Sequence, residues 1–212
     1  MAITLHEFLL SGSCYKVRLF LSILGVAYES RLVDYFPGHA HKEPDFLELN
    51  PLGQIPVLTD GEVCLRDSQA ILVYLASQYD AGGGWYPDDP AGRGRVAMWL
   101  AFAGSEIAHA SAARLHDMLD HDVDVEAARR RAHRAFSILD DHLIEREFAG
   151  EDWIAGPAPT IADIACFPDV ALSHDGGIAR DDYPAIDRWL TRVMKLPGFI
   201  DMPGVLVPGS IS

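Results

Sequence analysis

Residues 3 to 79 switch between two hydrophobic periodicities in a set order, and that order limits the sheets such a chain can build. ITLHEF (3–8) alternates as a half-buried strand does. SCYKVRLFLSILG (13–25) carries helical spacing and stops at a glycine, and YESRLVD (28–34) returns to alternation. This is a βαβ unit. After a polar segment, IPVLT (55–59) and EVCLR (62–66) flank Asp60-Gly61, a strong hairpin signal, and DSQAILVYLASQY (67–79) is again helical. The order βαβαββα, with right-handed crossovers, predicts a four-stranded mixed sheet with helices on its faces.

Beyond Tyr79 the pattern changes. DAGGGWYPDDPAGRG (80–94) concentrates Gly, Pro and Asp without periodicity and reads as a linker. Only helical patterns follow, over 95–119, 125–148, 160–174 and 184–195. In the second of these, Ala128, Ala132, Ala135, Phe136, Leu139 and Leu143 share one face and are expected in the core. Thr160-Ile161-Ala162-Asp163 has the form of a capping box, with aspartate in the usual glutamate position, and opens the third. The expected fold class is α/β plus all-α: a βαβαββα domain over 1–80, a linker over 81–94 and a helical domain over 95–212.

Composition narrows the function by exclusion. The longest apolar runs, such as VAMWLAFAG (96–104), fall short of the roughly 18 residues that span a bilayer. MAITLHEFLL carries neither a basic leader nor a cleavage site, so no membrane span and a cytoplasmic location are expected. With 31 acidic against 17 basic residues the formal charge is −14, which repels nucleic acid and anionic lipid. The one dense basic run, Arg129 to Arg131, falls in a helical pattern and reads as a solvated face. Cys14, Cys64 and Cys166 are odd in number and lack CxxC spacing, as in a reducing compartment.

Three short stretches carry chemistry. SGSCYK (11–16) lies where a strand turns into a helix, so free N–H groups and the helix dipole favour an anion such as a thiolate. Ser11 can donate to that sulfur, while the alternative is that Ser11 or Ser13 is only an N-cap. In NPLGQIPVL (50–58), a cis Pro56 would leave the Ile55 N–H and C=O free to pair with an extended peptide. The alternative is an ordinary turn with trans proline. Asp67-Ser68 opens the next helix, where the hydroxyl and N–H groups can hold a carboxylate and Asp67 an ammonium, or where both simply cap.

Taken with Ala40 to Phe46 and APTIADIA (158–165), these stretches make the chain resemble a cytosolic glutathione S-transferase over essentially its whole length. The combination of NPLGQIPVL with DSQAIL is the specific part, and the arrangement looks most like the serine-type phi class and related bacterial enzymes. The resemblance implies a thioredoxin-like first domain, a homodimer, and glutathione as co-substrate with no metal. It implies Ser11 as the activating serine, and His41 and Lys42 on the glycyl carboxylate. It places Gln54, Ile55 and cis-Pro56 along the tripeptide, and Asp67 and Ser68 on the γ-glutamyl end.

Two departures stand out. Asp67 replaces a longer acid or amide, and the Ser11-x-x-Cys14 pattern keeps only the second cysteine of a CxxC, so low disulfide reductase activity and a packed Cys14 are expected. For the electrophile, Ser105, His109, Ala112, Ala113 and His116 recur along one side of the 95–119 helix as a candidate pocket wall. His109 is also readable as a hydrogen-bonded neighbour, and His109, His116 and His121 do not share a helical face as zinc ligands. The apolar tail LPGFIDMPGVLVPGSIS is a candidate lid. The expected reaction is addition of the glutathione thiolate to a small hydrophobic electrophile. Isomerisation, dehalogenation, peroxide reduction and a non-catalytic glutathione-binding module are the alternatives on the same scaffold.

Overall fold

The computed structural model describes residues 3–202. β1 (Ile3–Glu7), α1 (Gly12–Ile23) and β2 (Tyr28–Leu32) form the first βαβ unit, and a 3-10 turn at Ala40–Lys42 followed by α2 (Pro44–Leu49) fills the next crossover. β3 (Val57–Asp60) and β4 (Val63–Leu65) make the hairpin, and α3 (Ser68–Tyr79) follows. The sheet order is β2-β1-β3-β4, with β1 parallel to β2 and antiparallel to β3. β1 is central, so Ile3, Leu5 and even Thr4 and Glu7 are buried, whereas β2 on the edge is largely exposed. The β3 ladder starts only after Pro56, which has no N–H to give it, and the Ile55–Pro56 bond is cis.

The second half comprises α4 (Pro90–Phe102), a π turn over Ala103–Ile107, α5 (Ala108–Leu119), α6 (Val125–Phe148), α7 (Ile161–Ala171), a 3-10 turn at Ser173–Gly176 and α8 (Pro184–Val193). α4 begins inside the stretch expected to be linker. Asp89 caps it by accepting the Gly92 N–H at 2.8 Å, and Pro90 sits in the first turn, where a missing donor costs nothing. The single helix expected over 95–119 is interrupted by the π turn, which no local signal announces.

All six apolar residues assigned to the core face of α6 are buried. The capping box forms, and Asp163 does more than close it. The Asp163 carboxylate also accepts the Ile154 N–H at 3.1 Å and the Trp189 Nε1–H at 3.0 Å, tying α7 to α8. Of the basic run, Arg130 and Arg131 are exposed, while Arg129 reaches Asp117, Glu126 and the Gly176 carbonyl.

α7 packs against both α1 and α3, so the helical half rests on the helices of the first half. The last described stretch crosses α1, where the Tyr15 hydroxyl donates to the Ile200 carbonyl at 2.6 Å and Ser22 to the Gly198 carbonyl at 2.7 Å. Beyond Met202, the candidate lid lies outside the described residues.

Candidate active site

The turn from β1 into α1 delivers Ser11. Its Oγ accepts the Cys14 N–H at 3.2 Å, so the capping role is present. That bond occupies an oxygen lone pair and leaves the hydroxyl proton free to donate. Ser11 also borders a cavity of about 360 Å³ between the sheet end and the helical half.

The 50–58 loop is shaped by residues the motif itself supplies. Buried Asn50 donates from Nδ2 to the Gln54 carbonyl at 2.7 Å and accepts the Leu52 N–H at 3.1 Å. Gly53 holds φ +56, and a Cβ there would lie 2.7 Å from the His41 carbonyl oxygen, so only glycine fits. Lys42 Nζ donates to the Leu52 and Gly53 carbonyls at 3.2 and 2.9 Å. Held this way, Ile55 enters no backbone hydrogen bond among the described residues and offers an unpaired edge at the cavity.

At the start of α3, Asp67 Oδ1 accepts the Ala70 N–H at 2.9 Å and the Ser68 hydroxyl donates to Gln69 Oε1 at 2.5 Å. Ser11, Gln54, Ile55, Pro56, Asp67 and Ser68 therefore line one cavity. His41 and Lys42 do not border it. They line an adjoining concavity of about 430 Å³ that shares Tyr35 and Gln54 with the first and is closed by Leu119 and His121. The His41 ring stacks on Tyr35 at 4.1 Å, and burial, with Lys42, His39 and His121 nearby, pushes its pKa down. Its Nδ1 is buried without a partner among the described residues.

Of the residues expected to form the electrophile wall, Ala112 borders the cavity and Ser105, His109, Ala113 and His116 do not. Ser105 is exposed in the π turn, and Ala113 is buried under the 173–176 turn, where a Cβ on Gly176 would lie 3.0 Å from the Ala113 carbonyl carbon. The face that meets the cavity lies one position N-terminal to the expected one, about 100° around the helix. Ala108, Ser111, Ala112 and Leu115 face the cavity instead, with Ala103 and Gly104 of the π turn.

Cys14 is fully buried, and burial pushes its thiol up to about 11. It stays protonated at neutral pH. Lys16 and Asp169 border the cavity as a buried ion pair at 2.7 Å that sequence reasoning missed. Asp169, the acid of the apolar run IADIACFPDV that the capping box does not use, was the available signal, since a buried charge needs a partner. Among the described residues no three His, Cys, Asp or Glu side chains cluster as metal ligands, and no helix is long and apolar enough to cross a membrane.

The family model described as the glutathione S-transferase N-terminal domain matches residues 10–78, and the model of the C-terminal domain matches 106–197. Glutathione S-transferase 2 of Anopheles gambiae is 33% identical over 191 residues, spanning 89% of this chain and 88% of that one. This chain belongs to the glutathione S-transferase family. Among solved family structures, a possible glutathione S-transferase from Rhodopseudomonas palustris superposes with a TM-score of 0.83 at 30% identity, over 95% of this chain and 98% of that one. Ure2p in complex with glutathione gives a TM-score of 0.83 at 27% identity, over 93% of this chain and 96% of that one. The family's two-part architecture, a thioredoxin-like sheet followed by a helical domain, is the one this chain adopts.

Proposed function

We propose that this member of the family binds glutathione, ionises its thiol beside Ser11 and adds it to a small hydrophobic electrophile. One observation carries the reading: a single cavity joins the N-termini of α1 and α3, the unpaired edge at Ile55, and a wall of small side chains from the π turn and α5. In this reading the cysteinyl unit pairs with Ile55 beside Pro56. Asp67 caps α3 with Oδ1, leaving its other oxygen for the ammonium, and Ser68 meets the γ-glutamyl carboxylate. Gln54 lies where the two concavities meet, so the glycyl end reaches toward His41 and Lys42. Ser11 donates its free proton to the thiolate, with proximity and this preorganised donor supplying the catalysis. The electrophile takes the side formed by Ala103, Gly104, Ala108, Ser111, Ala112 and Leu115. A cytoplasmic homodimer is part of the same proposal, and light scattering at twice the chain mass of 23.3 kDa is the expected result.

Ultraviolet titration of the complex tests the chemistry. A thiolate band near neutral pH is expected in the native protein. Ser11→Ala should raise its midpoint toward that of free glutathione and lower kcat/KM by roughly 100-fold. An unmoved midpoint would reduce Ser11 to a cap. If the native complex shows no band, the interaction-module reading stands in place of the enzyme.

A further inference from the structure

We infer that Arg114, on α5, is the positioning residue for Ser11, setting the direction of its hydroxyl through the Leu10 carbonyl. The inference rests on the transferase reading above. Every carbonyl from Phe8 to Ser11 is taken. The Ser11 N–H donates to Phe8 at 3.0 Å, Arg18 Nη2 to Leu9 at 2.9 Å, Arg114 Nη1 to Leu10 at 2.7 Å, and the Tyr15 N–H to Ser11 at 2.9 Å. The Leu10 C=O and the Ser11 N–H belong to one planar peptide whose last atom is the Ser11 Cα. Arg114 holds one edge of that plane and the Phe8 carbonyl the other, which restrains the plane from both sides. The Ser11 Cα–Cβ bond is aimed accordingly.

Arg114 is itself held rigidly. It is 4% exposed, and its Nε donates to Asp175 Oδ2 at 3.0 Å. Asp175 sits in the 3-10 turn that packs directly on α5: a Cβ on Gly176 would lie 2.6 Å from the Arg114 backbone nitrogen. Arg114 Nη2 is buried without a partner among the described residues, so this guanidinium is buried although one of its donors goes unused. A lysine cannot replace it, because one ammonium on a flexible stem lacks the fork that reaches Leu10 and Asp175 together. The flanking Ser111, Ala112 and Leu115 border the cavity, so the helix that meets the electrophile also aims the group that meets the thiol.

The test compares Arg114→Met and Arg114→Lys with the native protein by thiolate titration, calorimetric glutathione affinity, kcat, and amide exchange at Ser11 to Cys14. Arg114→Met should raise the thiolate midpoint by about one unit, a roughly ten-fold loss of thiolate at pH values below it, with a matching fall in kcat. Glutathione affinity measured below the thiolate midpoint should change less than about three-fold, since the tripeptide contacts lie elsewhere, and exchange at Ser11 to Cys14 should quicken. Arg114→Lys should recover part of each effect. A lowered melting temperature with unchanged midpoint and kcat in both variants would overturn the inference. Should Arg114→Met not fold, Arg114→Lys with native midpoint and exchange would overturn it as well. If the native complex shows no thiolate band, the transferase reading fails on its own, and unaltered exchange at Ser11 to Cys14 then removes the strut too.

Discussion

A single serine oxygen at position 11 closes a helix end and still has a proton to give, because accepting the Cys14 N–H uses a lone pair only. The cap and the proposed thiolate donor are therefore compatible, and the cap seen in the structure does not exclude the donor role. The neighbouring thiol is silent. Cys14 and Cys166 are fully buried, and burial pushes both upward, whereas Cys64 is exposed. Iodoacetamide at mildly alkaline pH is expected to add a single label, on Cys64, by mass spectrometry of the folded protein. A second label on Cys14 without denaturant would contradict its burial.

At the scale of elements, the hairpin is stapled to α3. The hydroxyls of Tyr79 and Tyr74 both donate to Asp60 Oδ2, the Tyr74 bond at 2.8 Å, and together they hold the Asp60 carboxyl below its usual range. As pH falls the unfolded chain takes up this proton first. The stabilisation is thus full above the ordinary carboxylate pKa of about 3.9 and is lost as pH drops through the lower folded value. Asp60→Asn should lower the melting temperature at neutral pH and flatten its decline on acidification. A decline as steep as the native one would count against the staple. The hairpin itself was legible from Asp60-Gly61, since turn chemistry is local, and so was each helix with an uninterrupted period. The π turn was not, since no composition rule announces it, and neither was the face of α5 that meets the cavity, where Ser111 and Leu115 lie and His109 and His116 do not, because distant packing sets it.

Across the molecule, the two halves are joined by charge as well as by apolar packing. Lys16 of α1 and Asp169 of α7 are 2% and 4% exposed, and a Cβ on Gly12 would lie 2.9 Å from Asp169 Oδ1, so α7 rests on the first turn of α1. Removing one partner strands a buried charge. Asp169→Ala is expected to cost about 3–5 kcal/mol in denaturant unfolding while the native chain melts in one calorimetric transition. Two separate transitions in the native protein would show that the halves do not unfold together.

The sequence alone determined what acts over a few residues: the βαβαββα order, the caps at Ser11, Asp67 and Thr160, and a break before the strand at Pro56, whereas the cis bond and the unpaired Ile55 came from the structure. The local features depend on backbone donors, turn geometry and periodicity, which adjacent side chains supply. The tertiary structure decided which face of α5 meets the cavity, and it paired Lys16 with Asp169 and Arg114 with Leu10, groups 153 and 104 residues apart. No local rule couples positions that distant; only the packing of α7 on α1, and of α5 beside it, brings them within hydrogen-bond reach.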